Sequence, residues 1–231
     1  MILFFQPHIP DGIHYLDAEE SKHCTKVLRK KSGDAITITD GKGSFYDAVI
    51  TDIQKERCHF TITQQRKEPP HPFHIHIAIA PTKHTDRMEW FVEKAVETGV
   101  DKISFIFCKN SERTRFKTDR VERIALSAMK QSLKATRPEI TEPVAFTDFI
   151  TQQKADEKFI AYVDGQNPHH LFTQATAGKS YCILIGPEGD FSPDELSLAN
   201  TNGYQTVSLG PNRLRTETAG LLACHTLLLR Q

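Results

Sequence analysis

Short apolar runs punctuate the second two-thirds of this chain, and stretches of helical periodicity separate them. Ile75–Ala80, Ile103–Phe107, Phe159–Val163, Tyr181–Ile185 and Thr206–Leu209 have strand length and many β-branched or aromatic residues. Asp86–Thr98 puts Met88, Phe91, Val92, Ala95 and Val96 on one side of a helix, with Gly99 at its stop. Asp119–Lys134 predicts a second helix. Ser192 and Glu195 have capping-box spacing for a third. Thr216–Leu229 predicts the last, apolar nearly all round and therefore buried or at an interface. Strands that alternate with helices imply a parallel sheet covered on both faces.

The first third follows another pattern. Ile2–Phe5 predicts a strand, and Asp17 can cap a helix running through Arg29. Ala35–Thr39, Phe45–Ile53 and His59–Thr63 predict three more strands, with turns at Gly33, Gly41 and Gly43. This is the pattern of a small barrel-like domain with one helix. Residues 65–73, QRKEPPHPF, are the linker candidate, because Pro69, Pro70 and Pro72 cannot continue a helix or a central strand. The domains expected are 1–68 and 69–231.

The chain has 231 residues, 39% hydrophobic and 25% charged, which suits a soluble protein with a sizeable core. Formal net charge is zero, so any nucleic-acid footprint must be local. Five cysteines (24, 58, 108, 182, 224) without a CxxC argue against a disulfide framework or a zinc ribbon. The N-terminal MILFFQPHIP lacks the basic start and long apolar run of a signal peptide. No stretch approaches the roughly 20 apolar residues of a membrane span. A cytoplasmic location is expected.

Two strand exits look alike: LIGPEGDF at Leu184–Phe191, and SLGPNRLRTETAG from Ser208. Ligands of parallel α/β sheets bind beyond the carboxyl ends of the strands. Glycines there allow close backbone approach, and Pro187 and Pro211 stiffen the loops. The backbone donors and acceptors on offer suit an uncharged ring such as adenine. A single Gly-Pro would be read as a plain strand ending; two, one followed by RLRTET, favour a ligand site. GxGxxG after the first strand of the second domain and GxxxxGK[ST] are both absent, which disfavours dinucleotide and P-loop sites. Neighbouring parallel strands would set the two exits side by side.

ILIGPEGDFSPDEL and VSLGPNRLRTETA resemble the C-terminal motifs of the SPOUT methyltransferases, and more closely those of the ribosomal RNA small-subunit methyltransferase E family. RMEWFVEKAVETGV, SERTR (Ser111–Arg115), the stretch from Gln131 to Arg137 with Pro138, and HCTKVLRKKSGDAI fit the same family in order. Asp190 departs from it, standing where a second glycine is usual, and Asn212-Arg213-Leu214 replaces a commoner Arg-Ile-Leu. The resemblance implies an α/β fold: a C-terminal SPOUT-type domain with a parallel sheet and a trefoil knot, plus a small N-terminal PUA-like β-barrel. It implies S-adenosyl-L-methionine as cofactor, methylation of uridine N3 in 16S ribosomal RNA, and a homodimer. No metal is expected, although His74 and His76 share one strand face near His71 and His84.

For that chemistry Arg213, Arg215 and Glu217 are the catalytic candidates: cations for an anionic uracil, and a carboxylate to orient an arginine or accept a proton. Thr216 and Glu217 are equally readable as N-cap and dipole partner of the last helix. Cofactor contacts are expected at Val163, Ile185, Gly186, Pro187, Glu188, Gly189, Leu209, Gly210, Leu214, Arg215, Thr216 and Ala219. From Lys109 to Arg137 there are nine Lys/Arg against three acids, and from Lys22 to Lys31 five against none. Charge runs are usually solvated faces. In an RNA enzyme they become a phosphate footprint, with Lys22, His23, Lys26, Arg29, Lys30, Arg113, Arg115, Arg120 and Arg123 as the candidate contacts. Two alternatives stay open: a SPOUT enzyme acting on another ribosomal or transfer RNA nucleotide, and a non-catalytic RNA-binding assembly factor.

Overall fold

Apolar alternation in the first third builds one sheet, and the apolar runs that follow build another. The structure, a computed structural model, describes residues 2–54, 57–162 and 169–231. Its contacts divide the chain into two units: residues 1–70 with 126–137, and residues 71–125 with 138–231.

In the first unit β1 (Leu3–Phe5), β2 (Tyr15–Leu16), β3 (Ala35–Thr39), β4 (Ser44–Gln54) and β5 (Arg57–Lys67) form a sheet in the order β1-β3-β4-β5-β2. The Gln6 amide, just past β1, donates to the Tyr15 carbonyl of β2 (2.6 Å), linking the two edge strands. Asp17 caps α1 (Ala18–Lys22) by accepting the Glu20 N–H at 2.8 Å. The helix continues as a π turn over His23–Val27 and then stops, with Arg29 in the left-handed region at φ 56°. The helix expected through Arg29 is therefore shorter. Phe4, Leu16, Ile38, Ile50 and Phe60 fill the core of this unit. The buried Glu20 carboxylate pairs with Lys130. The proposed linker starts too early at 65, because β5 keeps pairing with β4 through Lys67.

The second unit runs β6 (His74–Ile79), α2 (Thr85–Thr98), β7 (Lys102–Phe107), α3 (Asp119–Gln131, whose end belongs to the first unit), β8 (Glu139–Ala145), α4 (Phe146–Ile150), β9 (Glu157–Ala161), α5 (Leu171–Gln174), β10 (Ser180–Ile185), α6 (Pro193–Thr201), β11 (Gln205–Val207) and α7 (Thr216–Leu229). All strand pairs of its sheet are parallel, in the order β11-β9-β10-β6-β7-β8. Gly99 ends α2 at φ 116°, and Ser192 and Glu195 close a full capping box on α6. The helix expected to reach Lys134 stops at Gln131, with Leu133 left-handed at φ 56°. The strand expected at Phe159–Val163 is shifted to Glu157–Ala161, and Val163 lies outside the described residues.

Helix α7 lies against α2 and β6 with almost no clearance. A Cβ on Gly220 would come 2.7 Å from Phe91 Cε2 and 2.9 Å from Ile79 Cδ1. Glycine is kept in mid-helix, where it costs about 1 kcal/mol against alanine, because nothing larger fits. All five cysteines are free and buried, and burial pushes the thiols of Cys24 and Cys182 up to about 12. Among the described residues no helix is long and apolar enough to cross a membrane. Inside the sheet His76 is buried, with Nε2 2.8 Å from the Ser104 hydroxyl, which in turn accepts from Thr141 at 2.8 Å. Among the described residues no group of three or more His, Cys, Asp or Glu gathers as metal ligands. Burial, with Lys102 and His74 close by, lowers the His76 pKa to about 3.

Gly220→Ala overpacks the α2–α7–β6 junction and is expected to lower unfolding stability by about 1–2 kcal/mol despite alanine's helix propensity. A urea midpoint at or above wild type would show that α7 can shift to make room. Below about pH 6.5 the unfolded chain protonates His76 while the native state does not, so stability falls by up to about 1.4 kcal/mol per pH unit on acidification. Above that pH His76 adds nothing to the pH dependence. His76→Gln should flatten the curve of melting temperature between pH 6.5 and 4, and an unchanged slope would assign the acid sensitivity elsewhere.

Candidate functional site

Parallel pairing brings the carboxyl ends of β9, β10 and β11 to one edge of the sheet. The Ala80 N–H donates to the Ile185 carbonyl (3.0 Å) and the Tyr162 N–H to the Val207 carbonyl (3.2 Å), which ties down the strand ends. A cavity of about 670 Å³ opens beyond them. The two Gly-Pro exits form its walls, but their strands are not neighbours. Strand β9 lies between β10 and β11, so Ala161 and Tyr162 form a third part of the lining. Order along a chain does not reveal such an insertion.

Local chemistry explains each wall. A Cβ on Gly186 would press on the Phe191 ring at 3.1 Å, and one on Gly189 would meet Asn110 Cβ at 3.1 Å. Asp190, which departs from the family's usual glycine, has φ 59°, a left-handed geometry that aspartate tolerates better than most residues. Its Oδ1 accepts the Phe191 N–H at 2.8 Å. In the second loop Gly210 has φ 123°, and its N–H donates to the Ser208 hydroxyl at 3.1 Å.

The start of α7 joins the two walls. Arg215, not Thr216, is the N-cap, and its side chain makes no capping bond. The Thr216 hydroxyl instead donates to the Gly186 carbonyl of the other loop (3.0 Å). Glu217 is buried in the first turn of α7, 3.8 Å from Arg87 Nε, and its Oε2 has no hydrogen-bond partner. Arg213 donates to the Glu188 carbonyl at 3.4 Å.

Of the expected cofactor residues, Ile185, Gly186, Pro187, Glu188, Leu209, Gly210, Leu214, Arg215, Thr216 and Ala219 line the cavity, together with Arg213. Gly189 and Glu217 are absent from the lining; one packs on Asn110 and the other holds Arg87. Arg87, His170 and Tyr162 line it without having been expected. Arg87 had a legible signal, since it lies one residue before the apolar face of α2. His170 and Tyr162 had none.

The basic candidates fall in both units. Lys22 and Lys26 flank a small groove with Arg57, whose guanidinium sits 4.4 Å from the Tyr15 ring centre. His23 stands against Phe4, and Lys30 donates to the Ala35 carbonyl at 3.1 Å. Arg113 donates to the Lys83 carbonyl at 2.7 Å, and Arg115 is exposed. Arg120 pairs with Glu89 at 2.7 Å, and Arg123 donates to the Asp119 carbonyl at 3.3 Å.

Comparison with known proteins finds two family matches along the chain. Residues 69–228 match the RNA methyltransferase domain family, and residues 16–63 match the RNA methyltransferase PUA domain. The chain is 31% identical to the ribosomal RNA small subunit methyltransferase E of Buchnera aphidicola, over 91% of this chain and 85% of that one. A crystal structure of a probable rRNA-methyltransferase from Porphyromonas gingivalis superposes with a TM-score of 0.92 at 46% identity, covering 98% of each chain. The ribosomal RNA small subunit methyltransferase E of Neisseria gonorrhoeae, solved bound to S-adenosyl methionine, superposes with a TM-score of 0.85 at 25% identity, over 99% of this chain and 97% of that one. With an N-terminal PUA domain and a parallel-sheet methyltransferase domain, the chain belongs to the ribosomal RNA small-subunit methyltransferase E family.

Proposed function

We propose that the protein is an S-adenosyl-L-methionine-dependent methyltransferase that methylates N3 of a uridine in the 16S ribosomal RNA of the small subunit. The carrying observation is the cavity of about 670 Å³ at three parallel strand ends, with two backbone-rich walls and three arginines, Arg87, Arg213 and Arg215. That volume is in the ordinary range for a nucleoside-sized ligand. The names of the relatives from Buchnera and Neisseria support its coarser part, a ribosomal RNA small-subunit methyltransferase, and the Neisseria protein was solved bound to S-adenosyl methionine.

When bound, the cofactor supplies an electrophilic methyl group on a sulfonium. The protein's part is binding, alignment and charge. Backbone groups at Gly186–Glu188 and Leu209–Gly210 suit an adenine edge. Uracil N3 must be held in line with the methyl at about 3–3.5 Å. Its neutral imide is a poor nucleophile, so the proton must leave and the O2–N3–O4 anion must be stabilised. Arg213 and Arg215, both exposed, are the cations for that anion. Glu217 takes the orienting role, because its carboxylate is buried against Arg87 and off the cavity wall.

We assign residues 1–68 to RNA binding as a PUA-like barrel and 69–231 to methyl transfer as a SPOUT-type domain with a trefoil knot. Lys22, His23, Lys26, Arg29, Lys30, Arg113, Arg115, Arg120 and Arg123 are the proposed RNA contacts. The working form is a cytoplasmic homodimer. Helix α7 is apolar nearly all round, yet Leu222 and Leu229 stay exposed in the single chain, as does Trp90 on the adjoining α2. A second copy would cover them.

Mass mapping of ribosomal RNA from a deletion strain tests the assignment: N3-methyluridine should disappear, and its persistence would remove this target. Arg215→Ala is expected to lower the methylation rate about 100-fold with the fold intact, the scale of losing one donor to a developing anion. A rate within twofold of wild type would end the catalytic role. Arg29→Asn, which tolerates the left-handed φ, should weaken RNA binding and reduce the salt slope by about 0.7. An unchanged slope would place Arg29 off the RNA.

A further inference from the structure

The segment after β7 grips the first cavity wall along its length. Asn110 Nδ2 donates to the carbonyl oxygens of Gly189 (3.1 Å) and Asp190 (3.0 Å). The Lys109 N–H donates to Glu195 Oε1 (2.8 Å), while Glu195 Oε2 accepts the Ser192 N–H (2.8 Å) in the capping box of α6. Arg113 donates to the Lys83 carbonyl (2.7 Å), and the Lys83 N–H donates to Glu188 Oε1 (3.3 Å). The loop is thus held at Glu188, Gly189, Asp190 and Glu195, and Asn110 supplies the two central bonds.

The grip fits the strain of the loop. Asp190 has φ 59°, a conformation that costs a non-glycine residue and persists where its surroundings over-determine it. Asn110 fixes the carbonyls on either side of the Gly189–Asp190 junction. Glycine at 189 lets the loop lie against Asn110, since a Cβ there would come 3.1 Å from Asn110 Cβ. Asn110 does not line the cavity, so any effect it has on the cofactor passes through the loop. Five residues further on, Arg115 is exposed on the same segment, among the residues proposed to meet RNA.

We infer that Asn110 is a positioning residue that couples the basic segment 109–115 to the cofactor loop, so that RNA on one and cofactor on the other favour a single loop conformation. The inference rests on the methyltransferase reading above. Such coupling is reciprocal: whatever RNA does for cofactor affinity, cofactor does for RNA affinity.

Equilibrium dialysis of labelled S-adenosylhomocysteine, with and without small ribosomal subunits from a strain lacking the enzyme, tests it on the full chain. Subunits should tighten binding to wild type about fivefold or more. Asn110→Asp keeps the shape and removes both donated bonds, and Asn110→Ala does so without added charge. Each should reduce the gain to less than about half that of wild type while melting normally and still binding subunits. The readout is the ratio, which a general weakening of the site would not move. An undiminished gain in both variants, or no gain in wild type, overturns the coupling and leaves the methyltransferase reading standing. Failure of wild type to bind S-adenosylhomocysteine under either condition would overturn that reading itself.

Discussion

Strand β10 is hydrogen-bonded along both edges, to β6 over Ser180–Ile185 and to β9 over Tyr181–Ile185. Both of its faces are buried as well. A strand enclosed in this way cannot shift without breaking two ladders at once. Its end is therefore fixed, and the chain turns at Gly186, where a side chain would press on the Phe191 ring at 3.1 Å. The cavity begins at that point. Its second wall inherits the same precision through Thr216, whose hydroxyl reaches back to the Gly186 carbonyl.

Charge at the site follows from the same frame. Glu217 is buried because α7 is drawn down onto β6 and α2, and Gly220 permits that close approach. A buried carboxylate needs a cation, and Arg87 on α2 stands 3.8 Å away. The packing of one helix thus determines which arginine is held back and which two, Arg213 and Arg215, are left exposed.

Much of this was legible in the residues themselves. Gly99 and the Ser192–Glu195 pair mark helix ends by local chemistry, and local chemistry is what a sequence displays. The loop residues Gly186–Glu188 and Leu209–Gly210 were legible for the same reason, and they do line one cavity. What escaped depends on long-range contact. Strand β8, EITEPVA, is an edge strand with a proline and little apolar patterning, so nothing in it announces pairing with β7. The insertion of β9 between β10 and β11 is a matter of topology, and so is the arrival of Tyr162 and His170 at the cavity. The N-cap of α7 was misplaced by one residue: a capping Thr216 would accept a helix N–H, but its hydroxyl donates across the site to the Gly186 carbonyl and Arg215 takes the cap position.

Trp90 gives the fold a practical consequence. It is the only tryptophan in the chain, it is 43% exposed, and it stands one helical turn beyond Arg87 on α2. Indole emission depends on how much water surrounds the ring. Tryptophan emission, excited selectively over the five tyrosines, therefore originates from one spot on the helix that supplies an arginine to the cavity, and it reports without any label whether that spot is wet or covered by a second copy.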